Sequence, residues 1–190
     1  MKLVIEESPK TVTVITPTIG SPKLWDAVES VKAQTYPCKH LIVADGPGFY
    51  DDAWQIAKSI YKLDGYDGLL QVECSPENTG ANGFNGQRIY AAYPHLVNSD
   101  YVAFLDEDNW FEPNHVEECV KTITETNLDW CHSLRNIYNV DEFVCQDNCE
   151  SLGKWQTFHG VHHVDTNIMR TIFTIHLHKL QYFGRNTSND

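Results

Sequence analysis

The sequence predicts an α/β fold, a mostly parallel sheet flanked by helices, and three observations carry that prediction. β-prone apolar runs alternate with amphipathic stretches of helical period along residues 11–132, and alternation of this kind builds parallel sheets through helical crossovers. Three of the runs stop at polar or glycine-rich loops: Thr16-Pro17-Thr18, Asp45-Gly46 and Asp106-Glu107-Asp108. In an open parallel sheet such loops share one carboxyl edge, where a nucleotide-sized ligand binds. A chain of 190 residues, 42% of them apolar, is long enough to bury a substantial core as one domain.

The elements follow in order. Residues 11–16 are β-branched throughout and read as a first strand closed by Pro17. Ser21-Pro22 reads as an N-cap with proline at the first helical position. The helix that follows carries Leu24, Val28 and Val31 on one face and ends before Tyr36-Pro37. A second strand over 40–44 meets the turn Asp45-Gly46-Pro47-Gly48. A helix is expected over 52–63 and a third strand over 69–74. The loop 78–86, rich in Gly and Asn, leads into a helix reaching about Tyr93. The fourth strand, Tyr101 to Leu105, is a continuous apolar run, as a strand buried on both faces requires. A helix beginning near Pro113 places Val116, Cys119, Val120 and Ile123 at helical spacing, and 128–132 reads as a fifth strand. Residues 133–190, rich in His, Asn and aromatics, lose the period and are expected to form an irregular segment covering the ligand edge.

Charge and composition exclude several classes. Lys and Arg total 14 against 26 Asp and Glu, a net charge of -12, which argues against a nucleic-acid partner because such binders carry a basic face. No run approaches the roughly 18 apolar residues of a membrane span, and the N-terminus lacks a signal-peptide pattern. Six cysteines (Cys38, Cys74, Cys119, Cys131, Cys145 and Cys149) show no C-x-x-C spacing. Reduced thiols in a cytoplasmic protein are therefore expected.

The chemistry concentrates at Asp106-Glu107-Asp108. Carboxylates packed so closely repel one another unless a cation sits among them, and hard ions such as Mg²⁺ and Mn²⁺ prefer oxygen ligands. Alternation along an extended chain would put Asp106 and Asp108 on one side and Glu107 on the other. An Asp-x-Asp pair also serves some phosphatases, but there it follows the first strand, not the fourth. The first strand is followed by no G-x-G-x-x-G of a dinucleotide dehydrogenase. Nor does it carry the basic glycine-rich loop of a nucleotidyltransferase.

Five segments together carry a resemblance. Thr13-Val14-Ile15-Thr16-Pro17-Thr18, the stretch Ala27 to Pro37 containing Ala33-Gln34-Thr35-Tyr36-Pro37, Leu41 to Gly46, Asn78-Thr79-Gly80, and Phe104 to Trp110 occur in this order. The chain thereby resembles family 2 glycosyltransferases of GT-A fold over residues 11–125. The resemblance implies inverting transfer of a sugar from a nucleotide-sugar donor, most commonly a UDP-sugar, to a saccharide or other hydroxyl acceptor, assisted by Mn²⁺ or Mg²⁺. It implies Asp108 as the direct metal ligand, with Asp106 nearer the ribose or the ion's water shell. Asp45 would accept from a base N–H, and Thr16, Pro17 and Thr18 would wall the base-and-ribose pocket. Asn78, Gly80, Asn82, Gly83 and Asn85 would let backbone approach the nucleotide. Asn109 stands where many members carry a further Asp, and Asn85-Gly86 where many carry an Arg-Asn pair, with Arg88 displaced along the chain.

The general base of such a transfer is usually Asp or Glu, and Asp165 and Asp190 are the candidates here. His162 or His163, next to His159, would be an additional metal ligand. Trp110, Trp130 and Trp155 are candidates for stacking on a sugar, or else for packing. Residues of about 1–110 would form the nucleotide-sugar half of one domain and about 111–190 the acceptor half. A non-catalytic sugar-nucleotide or glycan-binding module, or one domain of a longer enzyme, is the alternative that these residues leave open.

Overall fold

Four parallel strands form the body of the structure, a computed structural model that describes residues 9–62, 68–131, 133, 135–139, 142–147, 169–171 and 177–179. They are β1 (Val12–Thr18), β2 (Lys39–Ala44), β3 (Leu70–Cys74) and β4 (Tyr101–Phe104). Their spatial order is β3-β2-β1-β4. The chain thus winds outward from β1 to β3 and returns to β1's other side for β4. The carboxyl ends of β1 and β4 flank this reversal, the position at which open α/β sheets form a ligand crevice.

Alternation along each strand divides the core between the two faces. Val12, Val14, Ile42, Ala44, Tyr101 and Ala103 face one layer of helices. That layer comprises α1 (Leu24–Lys32), α2 (Tyr50–Tyr61) and α4 (His115–Thr126), separated in the chain by α3 (Gln87–Ala92). Leu24, Ala27, Val28, Ala53, Ala57, Val116 and Val120 supply its buried side chains, each large one contributing ~1.5–3 kcal/mol by leaving water. Ile15, Leu41, Val43 and Val102 face the other side and are covered by Ile89 of α3. Cys38 and Cys119 are buried thiols within the first layer. No described helix is long and apolar enough to cross a membrane.

Several boundaries differ from the sequence reading. β1 continues through Pro17 to Thr18, paired with Val43 and Ala44 of β2. Proline is tolerated because the β1–β4 pairing stops at Ile15 and Phe104, so no β4 carbonyl needs its missing N–H. Helix α1 begins at Leu24, two residues beyond Pro22, because Ser21 closes a turn in which its carbonyl accepts from Leu24 N at 3.0 Å. Helix α4 begins at His115, not Pro113. Its first turn is capped from a distance: Gln34 Oε1 accepts from Val116 N at 3.0 Å, while Gln34 Nε2 donates to Glu112 O at 2.8 Å. Thr35 adds a bond from its N to Pro113 O at 2.8 Å. Ala33-Gln34-Thr35, part of the resemblance, is therefore a clamp between α1 and α4.

The C-terminal third departs further from expectation. The fifth strand is only two residues long (β5, Trp130–Cys131) and does not join β4. Between them lies β9 (Leu177–Lys179), antiparallel to both. β6 (Arg135–Asn139), β7 (Glu142–Asp147) and β8 (Met169–Thr171) form a separate antiparallel sheet in the order β7-β6-β8. Among the described residues, the segment expected to be irregular thus supplies four strands, each too short or too polar to show a period in the sequence.

Candidate functional site

At the reversal between β1 and β4 the chain does not stay extended. Leu105 N donates to Ile15 O at 3.1 Å, the last rung, and Asn109 N then donates to Asp106 O at 3.1 Å, closing a turn over 106–109. The strand alternation assumed for Asp106 and Asp108 does not apply there, and the three carboxylates fan out to separate sets of partners. Asp106 accepts from the Tyr90 hydroxyl at 2.5 Å. Glu107 accepts from the Thr18 hydroxyl, from Ile19 N at 3.2 Å and from the Ser21 backbone. Asp108 accepts from Asn109 Nδ2 at 3.1 Å and faces Lys23 Nζ at 3.8 Å.

Burial raises the Asp106 carboxyl above its ordinary range; the Tyr90 bond opposes this shift and the Asp108 charge reinforces it. Burial likewise raises Glu107, against its hydrogen bonds to Thr18 and the 19–21 backbone. Tyr90 is pushed up well above a normal phenol by burial and by Asp106, so it stays a neutral donor. Asn109 is 1% exposed, and its Oδ1 has no hydrogen-bond partner among the described residues. Asp106 and Asp108 are hard oxygen donors of the kind a divalent cation prefers, and Asp106 sits in a place that penalises its charge. Among the described residues no three His, Cys, Asp or Glu side chains form a ready-made metal cage. An ion on Asp106 and Asp108 would therefore take its further ligands from water or phosphate, the usual pattern for Mg²⁺.

The neighbouring strand end is organised around Asp45, which is 4% exposed. Its Oδ1 accepts from Thr79 N at 2.7 Å and Thr79 Oγ1 at 2.8 Å, and its Oδ2 from Gly80 N at 2.7 Å, while the Ser75 hydroxyl, 3.3 Å from Oδ1, donates to the nearer Glu77 O at 2.8 Å. A carboxylate offers about four lone-pair sites, so Asp45 is foremost the anchor of loop 78–86, with acceptor capacity left on Oδ2. Gly80 is required by close approach, since a Cβ there would lie 2.5 Å from Asp45 Oδ2 and collide with Asn85 O. Gly86 is required likewise, since its Cβ would lie 2.7 Å from Pro17 Cγ. The loop therefore crosses from Asp45 to Pro17 and delivers α3, whose Tyr90 reaches Asp106. Of the other loop residues singled out, Asn78, Asn82, Gly83 and Asn85 are exposed. Arg88 is used within the loop, donating to Thr79 O at 3.0 Å and stacking 3.8 Å above the Phe84 ring. Beneath the edge, Thr16 Oγ1 lies 2.9 Å from His40 Nε2.

The structure thus brings together Thr16, Pro17, Thr18, Asp45, Gly80, Asp106 and Asp108. Asp165, Asp190, His159, His162, His163, Cys149 and Trp155 lie outside the described residues. Trp110 packs on Tyr138 of β6 with ring centroids 5.1 Å apart. Sequence reasoning missed Glu107, Tyr90 and Lys23, and named Thr79 only within the segment Asn78-Thr79-Gly80. Glu107 carried a signal as a third acid in the run, and the assumed alternation turned it away from the site.

The family profile described as Glycosyl transferase family 2 matches residues 13–178. The chain belongs to that family. Among known proteins it is similar to glycosyltransferase GlyA of Streptococcus pneumoniae, 28% identical over 138 residues, which is 69% of this chain and 17% of the relative. The chain thus spans less than a fifth of that curated relative's length. Two crystal structures of TarS from S. aureus resemble it. One, of residues 1–349, has TM-score 0.52 at 18% identity and covers 63% of this chain and 34% of that one. The other has TM-score 0.50 at 21% identity and covers 63% and 20%. At such identities these likenesses show the fold, a GT-A-like parallel sheet.

Proposed function

We propose that this family 2 member moves a sugar from a nucleoside-diphosphate sugar, a UDP-sugar by preference, to a hydroxyl of a saccharide or other acceptor with inversion, using Mn²⁺ or Mg²⁺ held by Asp106 and Asp108. The observation that carries the reading is the continuous edge from Asp45 through Gly80, Gly86 and Pro17 to Tyr90 and Asp106, at the sheet's topological reversal. A bound ion would neutralise charge on the departing nucleoside diphosphate. Asp45 holds loop 78–86 closed and offers its remaining Oδ2 acceptor site to a base N–H. Pro17 and Thr18 wall the base and ribose, and the fully buried Thr16 supports them from beneath through His40. Tyr90 orients Asp106, and Asn109 orients Asp108. Asp165 or Asp190 would take the acceptor's proton, and His162 or His163 would join the metal's ligands.

Calorimetric titration with UDP and GDP, with Mn²⁺ and after chelation, tests the reading. The nucleotide is expected to bind only with the metal present, and Asp108→Ala is expected to abolish binding. Equal affinity after chelation would remove the metal from the proposal. Release of nucleoside diphosphate from a donor panel, lost in Asp165→Asn or in Asp190→Asn, would identify the base.

A further inference from the structure

Lys23 is the residue preceding α1, and the site holds it in place by two devices. Ser21 Oγ accepts from Lys23 N at 3.3 Å, and Glu107 ties the 18–21 loop to the 106–109 turn through Thr18, Ile19 and Ser21. The result is an ammonium 3.8 Å from Asp108 Oδ2, with side chains 45% and 38% exposed. An ion pair that open to solvent contributes little to stability. Its placement therefore matters more for what can reach it than for what it holds together.

We infer that Lys23 is a phosphate-binding residue that rests on Asp108 and transfers to the donor's diphosphate when the donor binds. The inference rests on the proposed donor and metal reading. A cation arriving at Asp108 displaces the ammonium by like-charge repulsion, and the long flexible stem carries it to the nearest anion. The diphosphate supplies that anion beside the same carboxylates. Lys23 thus opposes binding of the metal alone and favours binding of metal with nucleotide, coupling the two.

The two effects have opposite signs, which a merely structural lysine would not produce. Binding of Mn²⁺ alone is measured by the electron paramagnetic resonance of free Mn²⁺, and binding of UDP at saturating Mn²⁺ by calorimetry. The full chain is compared with Lys23→Met and Lys23→Arg. Lys23→Met is expected to bind Mn²⁺ alone ~3–5-fold tighter and UDP ~5–10-fold weaker, with Lys23→Arg close to wild type in both. Both affinities unchanged, or both shifted in one direction, would overturn the inference. Failure of the unmodified chain to bind Mn²⁺ and UDP would instead overturn the donor reading beneath it.

Discussion

His40 links the stability of the sheet to pH in a way that can be measured. Its imidazole is fully buried beneath the ligand edge; Nε2 meets the Thr16 hydroxyl at 2.9 Å and Nδ1 has no partner among the described residues. Burial pushes its pKa down from 6.5 to about 3. The unfolded chain therefore binds a proton across that window while the folded chain does not, so stability is lost as pH falls below 6.5. At about 1.36 kcal/mol per unit, the full window is worth about 5 kcal/mol, of which about 2 kcal/mol is lost by pH 5. Asp106 and Glu107, raised by burial, act in the opposite direction, and His115, lowered to about 4 by burial, acts in the same direction. Those contributions are common to wild type and His40→Gln and cancel when the two are compared. Urea unfolding at pH 7 and pH 5 should show wild type losing about 2 kcal/mol more than the variant. A difference below about 0.5 kcal/mol would mean that His40 is protonated, or solvated, in the folded sheet.

Two loop substitutions separate the anchoring of the site from its chemistry. Gly80→Ala sets a methyl 2.5 Å from Asp45 Oδ2 and against Asn85 O. It should displace loop 78–86, cost ~1–3 kcal/mol and weaken UDP binding at least about tenfold in calorimetry, with the sheet's circular dichroism unchanged. Glu107→Ala removes the shared acceptor of Thr18, Ile19 and Ser21. It should cost ~1–3 kcal/mol in urea unfolding, and Glu107→Gln, which keeps one acceptor oxygen, less than half of that.

How much of this was legible depended on whether an element is decided locally. β1 to β4 and α1 to α4 were, because their apolar periods are set by burial on a two-faced sheet. Their ends were not. The start of α4 depends on Gln34, 82 residues away from the Val116 N–H that it caps. Strand β9 pairs with Tyr101 and Val102 of β4 across the whole C-terminal segment, and three residues cannot announce such a pairing. The same division holds at the site. Gly80 and Asp45 could be named from turn chemistry, but their contact depends on how the 78–86 loop folds back. Tyr90 and Lys23 had no sequence mark, since only the folded chain brings α3 and the 18–23 loop to the acidic turn.

The acidic turn shows why a run of like charges need not be three copies of one role. In an extended strand Asp106 and Asp108 would share a side and repel, and Glu107 would be spare. The turn closed by Asn109 N on Asp106 O sends each elsewhere. Glu107 spends its charge on neutral donors of the β1 loop, and Asp108 on Asn109 and an exposed lysine. Among the described residues Asp106 has only a phenol that burial keeps neutral. It is thus the least compensated of the three, and its raised pKa follows from burial and from Asp108 beside it. A divalent cation would reverse that penalty where a second hydrogen bond could not, because the missing quantity is charge. Glu107 binds the β1 loop, and with it the segment that carries Lys23, to the acidic turn.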